Sequence, residues 1–84
     1  MNAIQWTTRA AKQLRKLDRP QQQVVVRAVG GLAAMPACQN VKALVEHQYG
    51  YRLRVGNYRV LFDWDGDIRV VDIQEVRKRD ERTY

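Results

Sequence analysis

Between Tyr49 and Asp63 the chain reads Tyr-Gly-Tyr-Arg-Leu-Arg-Val-Gly-Asn-Tyr-Arg-Val-Leu-Phe-Asp, and no other stretch constrains the fold as strongly. Two alternating runs flank Gly56-Asn57, a pair suited to the positive φ values of a two-residue hairpin turn. A turn at that point predicts Val55 opposite Tyr58, Arg54 opposite Arg59, Leu53 opposite Val60, Arg52 opposite Leu61 and Tyr51 opposite Phe62. Opposed residues share a face of the sheet. Tyr51, Leu53, Val55, Tyr58, Val60 and Phe62 therefore form an apolar face for a core. The other face carries Arg52, Arg54 and Arg59. Like charges opposed across a ladder repel, so this cluster makes sense where a polyanion binds.

The rest of the chain reads as β-α-α-β-β-β. Asn2 to Trp6 is a short strand with Ile4 and Trp6 on one side. Thr7 or Thr8 caps a helix that buries Ala11, Leu14 and Leu17 and turns Arg9, Lys12, Arg15 and Lys16 to solvent. Asp18-Arg19-Pro20 ends it and starts a second helix, with Asp18 as cap and Pro20 in the first turn. That helix buries Val25, Ala28, Val29, Leu32 and Met35 before Pro36. Gly30-Gly31 within it costs roughly 1 kcal/mol per residue, which a kink or a close helix contact would explain. A loop from Pro36 to Gln48, anchored by Leu44, leads to the hairpin. A second turn, Asp65-Gly66, leads to a last strand from Ile68 to Gln74. A two-residue turn there sets Asp72 opposite Arg59, where it would orient the guanidinium. The expected fold is α+β: two N-terminal helices on one face of a four-stranded, mainly antiparallel sheet, in a single domain spanning 1–84.

Charge narrows the class of partner. Fifteen Lys and Arg against nine Asp and Glu give a net charge of +6. That favours acidic partners such as RNA, DNA or an acidic protein. Residues 1–42 hold seven cations and one acid, Asp18, whereas residues 43–84 hold eight of each. In the second half the cations gather on the hairpin and in the tail, where Arg77, Lys78, Arg79 and Arg82 precede Tyr84. The last strand runs directly into this tail, so its cations are expected to border the hairpin arginines. One cysteine, Cys38, excludes an internal disulfide framework and fits a reducing cytosol. The N-terminus lacks a signal-peptide apolar region and no apolar run approaches ~20 residues, so a cytoplasmic protein without a membrane span is expected. One His and one Cys supply neither a zinc site nor a Ser-His-Asp arrangement, and no metal or cofactor is expected.

The order of elements, the hairpin from Tyr51 to Phe62 and the ending Arg77-Lys-Arg-Asp-Glu-Arg-Thr-Tyr84 together resemble the RelE branch of the RelE/ParE toxin superfamily. The likeness covers nearly the whole chain, and the basic tail ending in tyrosine points to RelE within it. The resemblance implies the toxin of a type II toxin–antitoxin system: a ribosome-dependent endoribonuclease that cuts mRNA in the A site of the 70S ribosome. It implies a cognate antitoxin, and contact with operator DNA only through the antitoxin complex. By position, the basic pair of the first hairpin strand falls on Arg52 and Arg54 and the second-strand arginine on Arg59. The tail arginine falls on Arg79 or its neighbour Arg77, and the tyrosine on Tyr84.

The chemistry that this pattern implies is attack of a 2′-hydroxyl on the adjacent phosphate. It needs a proton acceptor, a donor to the departing 5′-oxygen, and positive charge around the phosphorane. Arginine suits bidentate phosphate binding, and an arginine on a phosphoryl transition state is worth roughly 10³–10⁵ in rate. Arg59 is the first choice for that role, with Arg79 or water as the acid and Tyr84 as base or stacking platform. Arg52, Arg54, Arg77, Lys78 and Arg82 are expected to bind phosphates. The RelE pattern often has lysines where Arg52 and Arg54 stand, and arginine stays protonated, so neither serves readily as base. Lys78, then Glu46 or His47, are further candidates for it. Trp6, Phe62 and Trp64 are expected to pack rather than to stack on bases. Two other functions fit the same charge: a ParE-like gyrase inhibitor, and a non-catalytic module acting with an antitoxin in DNA-binding autorepression.

Overall fold

Ala3–Trp6 forms strand β1, and Thr7 turns the chain from it into helix α1, Thr8–Arg15. The Thr7 hydroxyl accepts from the Ala10 N–H (3.1 Å), which makes it the helix cap. The same hydroxyl donates toward the carbonyls of Ile73 (2.9 Å) and Gln74 (3.2 Å), tying the helix start to the last strand. Helix α2, Arg19–Gly30, begins after Asp18, with Pro20 in its first turn; the Asp18 side chain makes no capping bond. The structure, a computed structural model, describes residues 1–78; Arg79, Arg82 and Tyr84 of the predicted site lie outside the described residues.

At Gly31 the second helix passes into a 3₁₀ turn, Gly31–Ala34. A close helix contact does not explain the glycine pair, because a Cβ built on Gly30 or Gly31 meets nothing within 4 Å, whereas the change from α to 3₁₀ geometry falls at the pair itself. Alanine at either position is therefore expected to raise stability by roughly 0.5–1 kcal/mol. A urea titration checks this, and an unchanged or lower midpoint would count against it.

Among the described residues the sheet has five strands, one more than expected, in the order β1-β5-β4-β3-β2. The addition is β2, Val41–Ala43, which pairs with β3, Tyr51–Val55, inside what the sequence presents as loop. Three residues are too few to show the two-residue period that marks a strand. Strands β4, Tyr58–Asp65, and β5, Val70–Lys78, complete the sheet. All pairings are antiparallel except β1 with β5, which is parallel. The hairpin register agrees with expectation at all five pairs, from Val55↔Tyr58 to Tyr51↔Phe62. Gly56 takes φ +55° while Asn57 does not enter positive φ, so only the first turn position needs a glycine.

Both helices cover one face. Ala10, Val25, Val29, Leu32 and Met35 meet Leu53, Val55, Val60, Phe62, Val71, Ile73 and Val76 in a single core, with Ile4, Trp6, Leu14, Leu17, Tyr51 and Trp64 packed at its margin. Ala10, rather than Ala11, is the fully buried residue of α1.

The last hairpin departs from expectation. Asp65 pairs with Val70, so the connection runs over 66–69 instead of two residues. The Asp65 carboxylate holds it open by accepting from the backbone N–H of Asp67 (2.9 Å) and Ile68 (3.3 Å), and Arg69 adopts φ +58°. Leu61 then pairs with Glu75 but Phe62 with Ile73, leaving Gln74 as the extra residue of a bulge. Asp72 lies opposite Asp63, not Arg59, so the predicted Asp72–Arg59 pairing is wrong; the residue opposite Arg59 is Arg77. The bulge reverses the inward and outward sense of everything after it. Val76 enters the core, and Glu75 and Arg77 join the face that carries the hairpin arginines.

Candidate nucleic-acid interface

Two rows of side chains cross the face opposite the helices. Arg54, Arg59 and Arg77 are directly opposed across β3, β4 and β5. The next row runs Lys42, Arg52, Leu61, Glu75 across β2 to β5. Adjacent strands lie ~5 Å apart, so the first row sets three guanidinium stems within about 10 Å of sheet width. Among the described residues both ion pairs go to one acid, Glu75. Lys42, Arg52, Arg54 and Arg59 thus have no described carboxylate within bonding range. The Arg52 Nε is buried and has no hydrogen-bond partner among the described residues. A cavity of ≈ 110 Å³ opens beside it, lined by Arg52, Arg54, Gly56, Tyr58 and Arg59. Unsatisfied donors and cations without a described carboxylate partner, set around a concavity, are chemically suited to an anion.

Glu75 organises the other end of the row. It is 4% exposed. Its Oε1 accepts from Arg77 Nε (2.8 Å), and its Oε2 accepts from Arg77 Nη2 (3.1 Å) and from the Tyr49 hydroxyl (2.7 Å). Arg9 of α1 approaches Oε2 at 3.7 Å. Tyr49 precedes β3 and its hydroxyl reaches Glu75 on β5; both Tyr49 and Leu61, the residue of β4 opposite Glu75, are buried on this otherwise charged face. The Gln13 side-chain oxygen accepts from the Val76 N–H (2.7 Å), fixing the backbone between Glu75 and Arg77. The Arg77 hydrogen bonds, ahead of that from Tyr49, hold the Glu75 carboxyl below its ordinary range against the opposing effect of burial. The hydrogen bond to Glu75 pushes the Tyr49 phenol up.

A carboxyl with a depressed folded-state pKa contributes stability above its unfolded value, and that contribution is lost as pH falls through the folded value. The stability advantage of wild type over Glu75→Gln is therefore expected to persist from pH 7 down to about 5 and to shrink below the ordinary value of 4.5. Urea unfolding of both proteins across that range reads it directly. A gap that widened in acid would contradict the arrangement.

Of the expected site residues, Arg52, Arg54, Arg59 and Arg77 come together on this face. Lys78 does not join them: opposite Tyr58 on β5, it falls on the other side of the sheet. Among the further base candidates, Glu46 is exposed at φ +53°, and the His47 Nδ1 accepts from the Tyr49 N–H (3.1 Å), within its own loop. Phe62 is fully buried and Trp6 and Trp64 border the core, as expected of packing aromatics. Glu75, Tyr49 and Lys42 belong to the face, and Arg9 of α1 approaches Glu75, but none of these is evident from the sequence. One signal for Glu75 was present, since Gln74-Glu75 interrupts the alternation of Val71, Ile73 and Val76.

Comparison with known proteins places the chain in a family and a fold. Residues 4–83 match the family model of the ParE toxin of type II toxin–antitoxin systems. No curated protein sequence matches. Among solved structures, the chain is similar to the RelBE2 toxin–antitoxin complex of Mycobacterium tuberculosis, with 26% identity, a TM-score of 0.78, and 93% of this chain and 98% of that one covered. It shares its fold with the archaeal RelE–RelB complex of Pyrococcus horikoshii OT3, at 20% identity and TM-score 0.81 over 95% and 97% of the two chains. The isolated E. coli RelE toxin gives 18% identity and TM-score 0.81 over 99% and 89%. The chain belongs to the ParE toxin family of type II toxin–antitoxin systems, in the RelE/ParE superfamily, and its fold is that of the RelE branch.

Proposed function

We propose that this toxin is a metal-independent, ribosome-dependent endoribonuclease that cuts mRNA in the A site. The observation that carries the reading is the row Arg54, Arg59, Arg77, on an open sheet face where Arg54 and Arg59 have no described carboxylate partner. Arg59 occupies the centre of the row, with Arg54 and Arg77 on either side and Arg52 one row behind. The 2′-oxygen attacks its adjacent phosphate and the P–O5′ bond breaks, leaving a cyclic phosphate. Arg59 stabilises the extra charge on the phosphorane, and Arg52 and Arg54 seat the neighbouring phosphates. β5 continues into the tail, which supplies Arg79 as donor to the 5′-oxygen, Arg82 as a phosphate contact, and Tyr84 as base or stacking platform.

The RelE-fold relatives from M. tuberculosis and P. horikoshii are toxin–antitoxin complexes, which supports a cognate antitoxin for this chain. An acidic or amphipathic segment that folds on binding suits its net charge of +6. Operator DNA is then met only through that complex, and the site of action is the cytoplasm. Among the described residues no helix is long and apolar enough to cross a membrane.

The family model favours a second reading, gyrase inhibition by binding, since it is a model of ParE toxins. The two separate in one pair of assays. Cutting of mRNA on programmed 70S ribosomes, with naked RNA intact, supports the nuclease. Inhibition of gyrase supercoiling without any cutting overturns it in favour of the ParE activity.

A further inference from the structure

Arg77 differs from its two row partners. Its guanidinium is gripped at Nε and Nη2 by one carboxylate, yet its side chain remains 56% exposed. The carboxylate is in turn 94% buried at the side chain and held by the Tyr49 hydroxyl. Both Glu75 oxygens are occupied, so Glu75 is not placed to accept a proton from a 2′-hydroxyl. The backbone beneath is pinned on both sides, by Gln13 at Val76 and by Thr7 at the Gln74 bulge. A buried acid held this firmly, on a face otherwise rich in cations, does more than neutralise charge. It fixes where one guanidinium points.

We propose that Glu75, clamped by Tyr49, is a positioning residue that sets Arg77 as an oriented hydrogen-bond donor beside Arg59 for a nucleic-acid phosphate. This rests on the nuclease reading above. Orientation removes the ordering cost that a free arginine side chain meets on binding. The remaining N–H groups of Arg77 point away from Glu75 and are available to an incoming phosphate oxygen. The same pairing cancels one positive charge, so Arg77 acts through geometry where Arg54 and Arg59, without a carboxylate partner among the described residues, act through charge. Without Glu75, Arg77 becomes an ordinary mobile cation: a better electrostatic attractor and a worse catalyst.

That opposition of signs is the test. Wild type, Glu75→Gln, Arg77→Ala and the double variant are compared for single-turnover cleavage on programmed ribosomes. Binding of a 2′-O-methyl RNA oligonucleotide, which cannot be cut, is measured against salt in parallel. Glu75→Gln is expected to slow cleavage on the order of tenfold while binding is unchanged or tighter. Its salt dependence should steepen by about 0.7 in log–log slope, one added phosphate contact on a single strand. Neither change should appear when Glu75→Gln is made on top of Arg77→Ala. Equal losses in both backgrounds, or weaker binding in step with slower cleavage, would overturn the proposal. Tyr49→Phe loosens the clamp without altering charge and serves if Glu75→Gln does not fold.

The ¹⁵N–¹H signal of Arg77 Nε reports positioning by itself. It should be sharp and slowly exchanging in wild type and lost in Glu75→Gln. Persistence of the signal in that variant overturns the clamp. Loss of the signal with no cutting by wild type sinks the nuclease reading and leaves the clamp standing.

Discussion

Arg59→Ala is expected to lower mRNA cleavage on ribosomes by about 10³-fold or more while the protein stays folded. Arg59 is exposed, sits between Arg54 and Arg77, and pairs with no acid among the described residues. No ion pair among the described residues depends on its charge, and removing it relieves repulsion across two ladders, worth a few tenths of a kcal/mol. Stability should be unchanged or slightly higher. Activity should collapse, because an arginine on a phosphoryl transition state works through charge at the reacting centre. Rate and melting temperature measured on one preparation settle the point. A loss of less than about tenfold would remove Arg59 from the transition state and shift the role toward the tail arginines.

Phe62→Ala is expected to have the opposite signature, losing fold and activity together. Phe62 is fully buried and is among the largest side chains of the core. Its ring stacks on Tyr51 at 5.4 Å between centroids, and it pairs with Ile73 where the β4–β5 register shifts. Truncating a core phenylalanine costs ~3–5 kcal/mol. Domains of this size hold little in reserve, with total stabilities commonly near the low end of ~5–15 kcal/mol. Most of the margin would be gone. Urea unfolding should show a loss of at least ~3 kcal/mol, or no cooperative transition at all. A loss under about 1.5 kcal/mol would mean that the core closes around the gap, and that the bulge does not depend on this ring.

The contrast between these two variants follows the division between local and non-local information. The central hairpin is legible because both strands and their turn are contiguous. Gly56-Asn57 marks the turn, period-two alternation marks the strands, and the turn length sets the register. Its apolar and arginine faces follow without knowledge of any other element. The helices are legible for a similar reason, since the spacing of Val25, Val29 and Leu32 repeats within one segment. The cluster Arg52, Arg54, Arg59 belongs to this local class, and so does its chemistry.

What the sequence left open depends on contacts between distant segments. The Asp65 carboxylate stretches the second turn to 66–69, and the bulge at Gln74 then turns Arg77 toward Arg59 in place of Asp72. Strand β2 exists because β3 offers it an edge, not because three residues carry a strand pattern. Glu75 reads as an ordinary acid ahead of a basic tail until folding brings Tyr49, Gln13 and Arg9 around it from positions 26, 62 and 66 residues away. Composition and alternation thus determined by themselves that one sheet face carries Arg52, Arg54 and Arg59. Which cation is clamped, and which ones have no carboxylate partner among the described residues, was decided only in the tertiary structure. A buried carboxylate chooses its partners by distance in space, and sequence spacing carries no record of that.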